Sequence, residues 1–377
     1  MQTSIPHKST HSDRLERWLG ADEVARLSQS MGKFYYPVPV AGVPGNVFAM
    51  PGGDFCGEIR AGQELSAVER AVEILRKEQR NRRLAHARAT NQLGAFGSLS
   101  ALITAATSGK SQPLTFSKTG TSANNTGQSM DLWTRPGMPA AGAAAAAAPA
   151  GTTPTKATTG ALAFNNPSTA NTLHFTLGEP SASVAANTLL LYDRIFSVAK
   201  LMNSAVAEVV TGVPTRYQNQ VAGTLDYIGG NFVFASIPTT VLPATGHSWT
   251  GLYTNQAGSL AQAIPSIAGI SACVVAGVDL AVGNWFMPLA AGDIGIKALT
   301  QMTASAAILT GTIDWVMGHP LALLPCPIAN MVCVKDGINT AFNLQTMFDN
   351  ACPAFLEINK PSTASTNYNG IITFVSE

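Results

Sequence analysis

Residues 108–111 (Ser-Gly-Lys-Ser) have the residue types that close a phosphate-binding loop. In such a loop, the backbone amides of a glycine-rich turn surround the phosphates and the lysine reaches them. The loop needs glycine or alanine five residues before Gly109, where this chain has Thr104, and it needs a following helix, which Pro113 opposes. The spacing therefore argues against nucleotide binding.

Residues 246–251 (Gly-His-Ser-Trp-Thr-Gly) are similar to a nucleophile elbow, the sharp strand-to-helix turn that presents a catalytic serine. The second glycine comes one position late, and no alternating strand–helix pattern surrounds the segment. A turn that leads into a strand is the preferred interpretation.

Metal-binding and acid–base chemistry have weak candidates. His7 and His11 are four residues apart, as zinc ligands on a helix can be, but a third ligand is missing. Carboxylates are scarce in the second half, where folding would have to bring together a pair such as Asp226 and Asp279 for glycoside hydrolysis. We therefore predict no enzymatic activity, no cofactor, no metal and no small-molecule substrate.

The five cysteines are few, odd in number and irregularly spaced, which argues against a disulfide scaffold and fits a reducing cytoplasm. Cys326 and Cys333 are predicted to be buried structural thiols. The apolar stretches 264–289 and 315–334 are interrupted by prolines, so we predict no membrane span.

The composition indicates a surface that other subunits cover. Charged residues make up only 12% of the chain, hydrophobic residues 46%, and the mean hydropathy is +0.15. A monomer with so few charges would tend to self-associate. The alternative is a β protein whose exposed surface is kept polar by serine, threonine and asparagine side chains and not by charged ones. The net charge of +1 gives no sign of general binding to nucleic acid or to anionic membranes.

Charge density divides the chain into three segments. Residues 1–110 are densely charged and net basic, and they are predicted to form a helical N-terminal arm or domain. Residues 111–159 are of low complexity, rich in Ala, Gly, Pro and Thr, and are predicted to be a linker or an arm laid along a neighbour. Residues 160–377 are sparsely charged and net acidic, and they are predicted to form a structural and oligomerisation domain.

A helix is predicted from the capping box at residues 66–69 (Ser-Ala-Val-Glu) to about Gln92. Its first half carries an apolar stripe and its second half is basic, which makes it a candidate surface for assembly contacts. The basic half is either a solvated face or a clamp onto an acidic partner or packaged DNA. The candidate contact residues are Leu65, Val68, Val72, Leu75, Arg76, Arg80, Arg83 and Arg88.

The third segment is predicted to be a β-sandwich or jelly roll, so that the fold class is α+β, mainly β. Apolar and polar residues alternate in short runs that Gly, Pro and Asn separate. Residues 187–200 are either a helix or, at 189–191, a strand. Residues 227–278 contain no charged side chain, and we predict that they lie in a subunit interface. The predicted strand segments are 172–177, 223–228, 231–235, 250–253, 312–316 and 371–375.

Three stretches between residues 130 and 330 resemble a family of tailed-bacteriophage virion structural proteins. They are residues 157–167 (ATTGALAFNNP), 189–194 (LLLYDR) and 286–296 (FMPLAAGDIGI). The resemblance implies a component of a phage particle, assembled in the cytoplasm of the bacterial host. It implies no active-site residue and does not fix a position in the head, neck or tail.

We therefore predict a non-enzymatic virion protein, with a capsid-associated decoration or cement subunit as the preferred role. Its expected partners are further copies of itself and other virion proteins, including a major capsid protein. One alternative is the major capsid protein itself, although the second half has no pattern for a long spine helix. The other is a tail or fibre protein that binds the host, which the aromatic content of 7% does not favour.

Overall fold

A computed structural model describes residues 36–37, 46–49, 56–59, 96, 98–168, 170–217, 230–308, 311–337 and 346–376. The chain divides into two units, Met1–Arg83 and Leu84–Glu377. In the first unit, three short antiparallel strands form a sheet in the order β1-β2-β3. These strands are Tyr36–Pro37, Asn46–Ala49 and Cys56–Ile59. The helix predicted from Ser66 to about Gln92 lies outside the described residues.

The second unit begins with helix α1, Leu99–Thr107. The Ser98 side chain caps it by accepting a hydrogen bond from the Ala101 amide at 3.1 Å. The helix ends at Ser108, and Gly109 follows with a φ of +81°, a left-handed conformation that glycine adopts without strain. Among the described residues, no helix is long and apolar enough to span a membrane.

A six-stranded sheet forms one outer layer, in the order β15-β7-β18-β4-β6, with β16 paired to β7. All of its described pairings are antiparallel. The strands are β4 (Ser111–Thr119), β6 (Gly137–Met138), β7 (Leu173–Ala182), β15 (Lys335–Asp336), β16 (Thr346–Met347) and β18 (Asn367–Ser376).

A five-stranded antiparallel sheet, in the order β10-β14-β8-β17-β5, forms the centre of the unit. Its two longest strands have 15 residues each and are buried along most of their length. The strands are β5 (Met130–Asp131), β8 (Asn187–Leu201), β10 (Phe232–Ser236), β14 (Thr312–Cys326) and β17 (Pro353–Ile358). A single 3-10 turn, Leu132–Thr134, follows β5.

A four-stranded antiparallel sheet, in the order β12-β11-β13-β9, completes the unit. Its strands are β9 (Glu208–Val209), β11 (Ser248–Asn255), β12 (Gln262–Ala268) and β13 (Ile296–Ala304).

The central sheet contributes side chains to two hydrophobic cores. Leu190 and Trp315 belong to the core shared with the four-stranded sheet, whereas Leu189 and Leu324 belong to the core shared with the six-stranded sheet. Of the described residues, 42% are in strands and 4% in helices, so the predicted mainly β class and the sandwich-like fold are confirmed. Residues 187–200 are a strand and not a helix, because a strand between two cores must be apolar on both faces.

Residues 111–159 differ from the linker that was predicted for them. Ser111–Thr119 pairs along its whole length with β18. The alanine-rich stretch lies along this chain's own β8, where the Ala199 amide donates to the Ala146 carbonyl at 2.9 Å. Alanine side chains are small enough to allow this close approach of two backbone segments, which composition alone did not reveal.

Candidate assembly surface

The charged side chains of the second unit point inward. Among the described residues from 98 to 376, each charged side chain is buried or half-buried, except for Lys110. Long ionic side chains are seldom fully buried unless they are paired. The buried charged residues are Lys118, Asp131, Asp193, Arg194, Lys200, Arg216, Asp279, Asp314, Glu357 and Lys360.

Arg194 holds the largest of these interior clusters together. Its guanidinium donates to Asp131 at 2.7 Å, approaches Asp314 at 3.9 Å and lies 4.8 Å from the centre of the Trp133 ring. Burial raises the pKa of Asp314 to about 6, although Arg194 opposes the shift. Asp314 also accepts the Ala145 amide at 2.9 Å, so the cluster fastens the alanine-rich stretch to β14.

The neighbouring residue, Asp193, forms a second buried pair. Arg216 binds both of its carboxylate oxygens, at 2.9 and 3.0 Å, and the Cys352 amide donates to it at 2.7 Å. Burial raises the pKa of Asp193, and the charge of Arg216 opposes that rise. Residues 189–194, which carry part of the family resemblance, therefore have a structural role: the leucines fill both cores, Arg194 joins β8 to Asp131 of β5, and Asp193 binds Arg216 in the turn at 216–217.

His247 and Asp279 form a third buried pair. The two ring nitrogens of His247 lie 3.0 Å from the Thr245 carbonyl and 2.7 Å from the Asp279 carboxylate. Burial lowers the pKa of His247, but the hydrogen bond to Asp279 and its charge outweigh burial, so the net shift is upward. Both ring nitrogens face these two acceptors, so neither is directed at Ser248, and the raised pKa favours the protonated ring.

The other sequence candidates for chemistry have defined structural positions where they are described. Residues 108–111 join the C-terminus of α1 to β4, so the helix end beside them presents carbonyl oxygens and not the amides that bind phosphate. Residues 246–247 lead directly into β11, so Ser248 lies in a strand, as the preferred interpretation required, and not at a strand-to-helix turn. His7, His11 and Asp226 lie outside the described residues. Within those residues, no group of three or more His, Cys, Asp or Glu could hold a metal ion.

The cysteine prediction is confirmed in part. Cys326 is buried, and burial raises the pKa of its thiol to about 12. Cys333 is only partly buried, because it lies in a loop at the edge of a sheet. Both are free thiols, as are Cys273 and Cys352.

Large apolar side chains are exposed where charged residues would be expected. Leu260 is 74% exposed and Val206 is 72% exposed. Single exposed apolar residues are normal, but several adjacent ones indicate an interaction surface. Among the residues whose exposure the structure describes, the exposed large apolar side chains are Ile103, Met138, Leu201, Val206, Val209, Val241, Leu260, Val282, Phe286, Ile294, Ile328, Met331, Val332, Val334 and Ile371.

Four of these side chains are concentrated in residues 327–334, which we call the apolar loop. Ile328, Met331, Val332 and Val334 are 54%, 54%, 59% and 61% exposed, respectively. Three backbone hydrogen bonds fasten the loop to residues 180–186: Asn330 to Ala182 at 2.7 Å, Cys333 to Pro180 at 2.9 Å and Ala186 to Pro327 at 3.2 Å. The apolar side chains are therefore presented on an ordered backbone.

A shallow apolar depression, which we call the edge groove, lies beside β4. Its lining residues are Pro113, Leu114, Thr115, Met138, Pro139, Ala161, Leu162 and Ala163. The Gln112 side chain holds β4 to residue 165 beside the groove: it donates a hydrogen bond to the Asn165 carbonyl at 3.0 Å and accepts one from the Asn165 amide at 2.9 Å. The Leu162 amide donates to the Pro353 carbonyl at 2.9 Å, which fixes the floor to the central sheet.

The predicted contact residues, Leu65, Val68, Val72, Leu75, Arg76, Arg80, Arg83 and Arg88, all lie outside the described residues. Sequence reasoning missed both the apolar loop and the edge groove. The loop's signal is present in the sequence as an uncharged run of eight residues, 327–334, but the prolines of the stretch 315–334 indicate only that it does not span a membrane.

The charge-free residues 227–278 are partly internal. Strand β10 is buried throughout, and the chain that follows it covers its outer edge: the Asp279 amide donates to Ala235 at 2.8 Å and the Met287 amide donates to Val233 at 2.7 Å. Strand β12 lies at the other end of the region, at a sheet edge, and is largely exposed. Burial inside this chain therefore accounts for the missing charges in β10, whereas β12 remains a candidate for contacts.

The fold and surface define a mainly antiparallel β-sandwich protein with internal ion pairs and exposed apolar edges. No protein-family model matches the chain, and no curated protein matches it. Among solved structures, the chain aligns with a structure of infectious bursal disease virus, Gt strain. The TM-score is 0.16 and the identity 10%, over 71% of this chain and 80% of the viral chain. The VP2 subviral particle of that virus gives a TM-score of 0.14 and 10% identity over the same shares. At these TM-scores, the alignments carry no argument about function.

Proposed function

We propose that this chain is a non-enzymatic structural protein of a tailed-bacteriophage virion, and that it acts as a capsid-associated decoration subunit through contacts with neighbouring subunits. The proposed partners are further copies of the chain and a major capsid protein. The proposed location is the virion, after assembly in the host cytoplasm.

The distribution of charge carries the proposal. The second unit buries ionic side chains in pairs such as Arg194–Asp131 and Arg216–Asp193. Its surface instead exposes apolar side chains such as Leu260. An isolated soluble protein normally has the reverse distribution, since surface charge keeps it from associating. A subunit whose surface is covered in an assembly does not need that protection.

The family resemblance supports the finer part of the proposal. Its three stretches supply scaffold: residues 157–167 line the edge groove in part, residues 189–194 join the two cores, and Asp293 of residues 286–296 accepts hydrogen bonds from Tyr253 at 2.6 Å and Asn255 at 2.8 Å. These roles are structural, which agrees with a protein that acts by assembling.

The test is sedimentation velocity of the purified full-length chain, over a wide range of protein and salt concentrations. We expect association that grows with protein concentration and does not weaken with added salt, because apolar contacts are not screened as surface ion pairs are. Binding to purified capsid shells that lack the chain is the second readout.

A clean monomer at all concentrations that also fails to bind shells would contradict the proposal. Association that salt abolishes would contradict its apolar basis. Closed shells formed by the chain alone would instead favour the major capsid alternative, and binding to host cells without binding to shells would favour a tail or fibre protein.

A further inference from the structure

The apolar loop and the edge groove lie at opposite edges of one sheet. The loop leads directly into β15, the last strand on one side of the six-stranded sheet. The groove lies beside β4, and β7 and β18 separate the two. With about 4.8 Å between neighbouring strands, these positions are roughly 14 Å apart across the sheet.

The outer edge of β4 is only partly occupied. On the side away from β18, the two-residue strand β6 pairs with Ser117 and Lys118 alone. Along Ser111–Phe116, none of the described strands pairs with that side. Open strand edges commonly accept another chain segment, which adds to the sheet while its side chains fill adjacent pockets.

The two surfaces match in chemistry. No charged residue lines the edge groove, and residues 327–334 contain none. The loop exposes Ile328, Met331, Val332 and Val334, whereas the groove presents proline, leucine, methionine and alanine. Methionine is present on both sides, at Met331 and Met138, and its flexible side chain adapts to an apolar partner.

The loop cannot fill the groove of its own chain, because its three backbone hydrogen bonds hold it beside Pro180–Ala186 on the far edge of the sheet. We propose that the apolar loop of one copy docks into the edge groove of a second copy. Such an interface joins two different surfaces, so each copy retains one free loop and one free groove, and the contact repeats into a ring or an open chain.

This inference rests on the proposed function, since it names the self-contact through which the subunits would assemble. The test uses two single-sided variants of the full-length chain, Val332→Asp in the loop and Met138→Asp in the groove. Both positions are at least half exposed, at 59% and 50%, so the substitutions should leave the fold intact. Ala163→Asp is a second groove variant, and Leu260→Asp, at an exposed apolar site outside both surfaces, separates this contact from the other apolar contacts that the proposed function allows.

We expect each single-sided variant to weaken self-association at least tenfold in sedimentation velocity, because an aspartate would have to be buried without a partner. The decisive sample is an equimolar mixture of Val332→Asp with Met138→Asp. One copy still has a working groove and the other a working loop, so the mixture should form a dimer with one copy of each. Circular dichroism and tryptophan fluorescence check that each variant is folded.

Folded variants that stay monomeric even when mixed would overturn the loop-in-groove contact. Variants that associate like the wild type would overturn it too, and would leave the groove to residues 1–95 or to a capsid protein. In both cases wild-type association would still support the proposed function. If the wild type never associates, the self-contact is wrong, and shell binding alone then decides the proposed function.

Discussion

Replacing Arg194 with methionine should destabilise the protein strongly. Arg194, Asp131 and Asp314 are each 1% exposed, so the substitution leaves two buried carboxylates without their cation. Removing one partner of a buried ion pair costs about 3–5 kcal/mol. The contact with the Trp133 ring, worth about 1 kcal/mol as a cation–π pair, is partly replaced by a sulfur–aromatic contact. We therefore expect a loss of about 3–5 kcal/mol in the free energy of unfolding.

The loss should depend on pH. Burial raises the pKa of Asp314 to about 6 while Arg194 is present, and without Arg194 the pKa must rise further. A carboxylate whose pKa is higher in the folded state than in the unfolded state destabilises the fold most at pH values above its folded-state pKa, where it is charged. This destabilisation becomes smaller as the pH falls and the carboxylate takes up a proton. The difference in unfolding free energy between variant and wild type should therefore narrow, by up to about 1.4 kcal/mol per pH unit, as the pH falls towards 6.

The assay is urea unfolding followed by tryptophan fluorescence, at protein concentrations below the onset of association. Lys156→Met is the control, since Lys156 is half-buried and its ammonium contacts the Phe164 ring at 4.6 Å. We expect it to cost less than about 1 kcal/mol. A loss below about 1 kcal/mol for Arg194→Met, or a difference that is constant with pH, would refute the role assigned to Arg194.

Three further predictions concern His247 and the edge surfaces. Folding raises the pKa of His247 above 6.5. The stability that protonated His247 contributes is therefore fully present below pH 6.5 and is lost as the pH rises through the folded-state pKa. In urea unfolding, His247→Gln should remove this loss of stability with rising pH. Gly269→Ala should lower the free energy of unfolding by more than about 2 kcal/mol, because the new Cβ would lie 2.1 Å from a ring nitrogen of His247. Gly246→Ala is the control: its Cβ meets no atom within 4 Å, so the unfolding midpoint should change little. Wild-type association should persist at high salt, whereas Val332→Asp should weaken it at least tenfold, and light scattering would report both results.

The sequence predicted the β class because alternation is a local property that short segments carry. It left residues 187–200 open, because an apolar run such as 189–191 fits either a buried helix or a strand between two cores. The placement of Ser111–Thr119 in a sheet could not be predicted, since its partner strand, Asn367–Ser376, is about 250 residues away in the chain.

The sequence predicted that the surface is poor in charge and suited to assembly, but it did not predict which residues form that surface. Low charge indicated a covered exterior, yet the residues proposed for contacts, such as Arg76 and Leu65, were chosen from a helical pattern in the first segment. The apolar loop becomes visible only when backbone hydrogen bonds hold Asn330 and Cys333 at a sheet edge. Exposure is a property of the folded chain, so Val332 and a core valine such as Val198 look alike in the sequence.

The inward placement of charge also limits what enzymes and reagents can reach. Trypsin cuts after lysine and arginine on accessible, deformable backbone, and in the described part of residues 98–376 the exposed basic side chain is Lys110. Lys118, Arg194, Lys200, Arg216 and Lys360 are closed off inside the fold. The described part of this unit would therefore offer trypsin and amine-reactive dyes few exposed targets, although it contains the usual lysines and arginines.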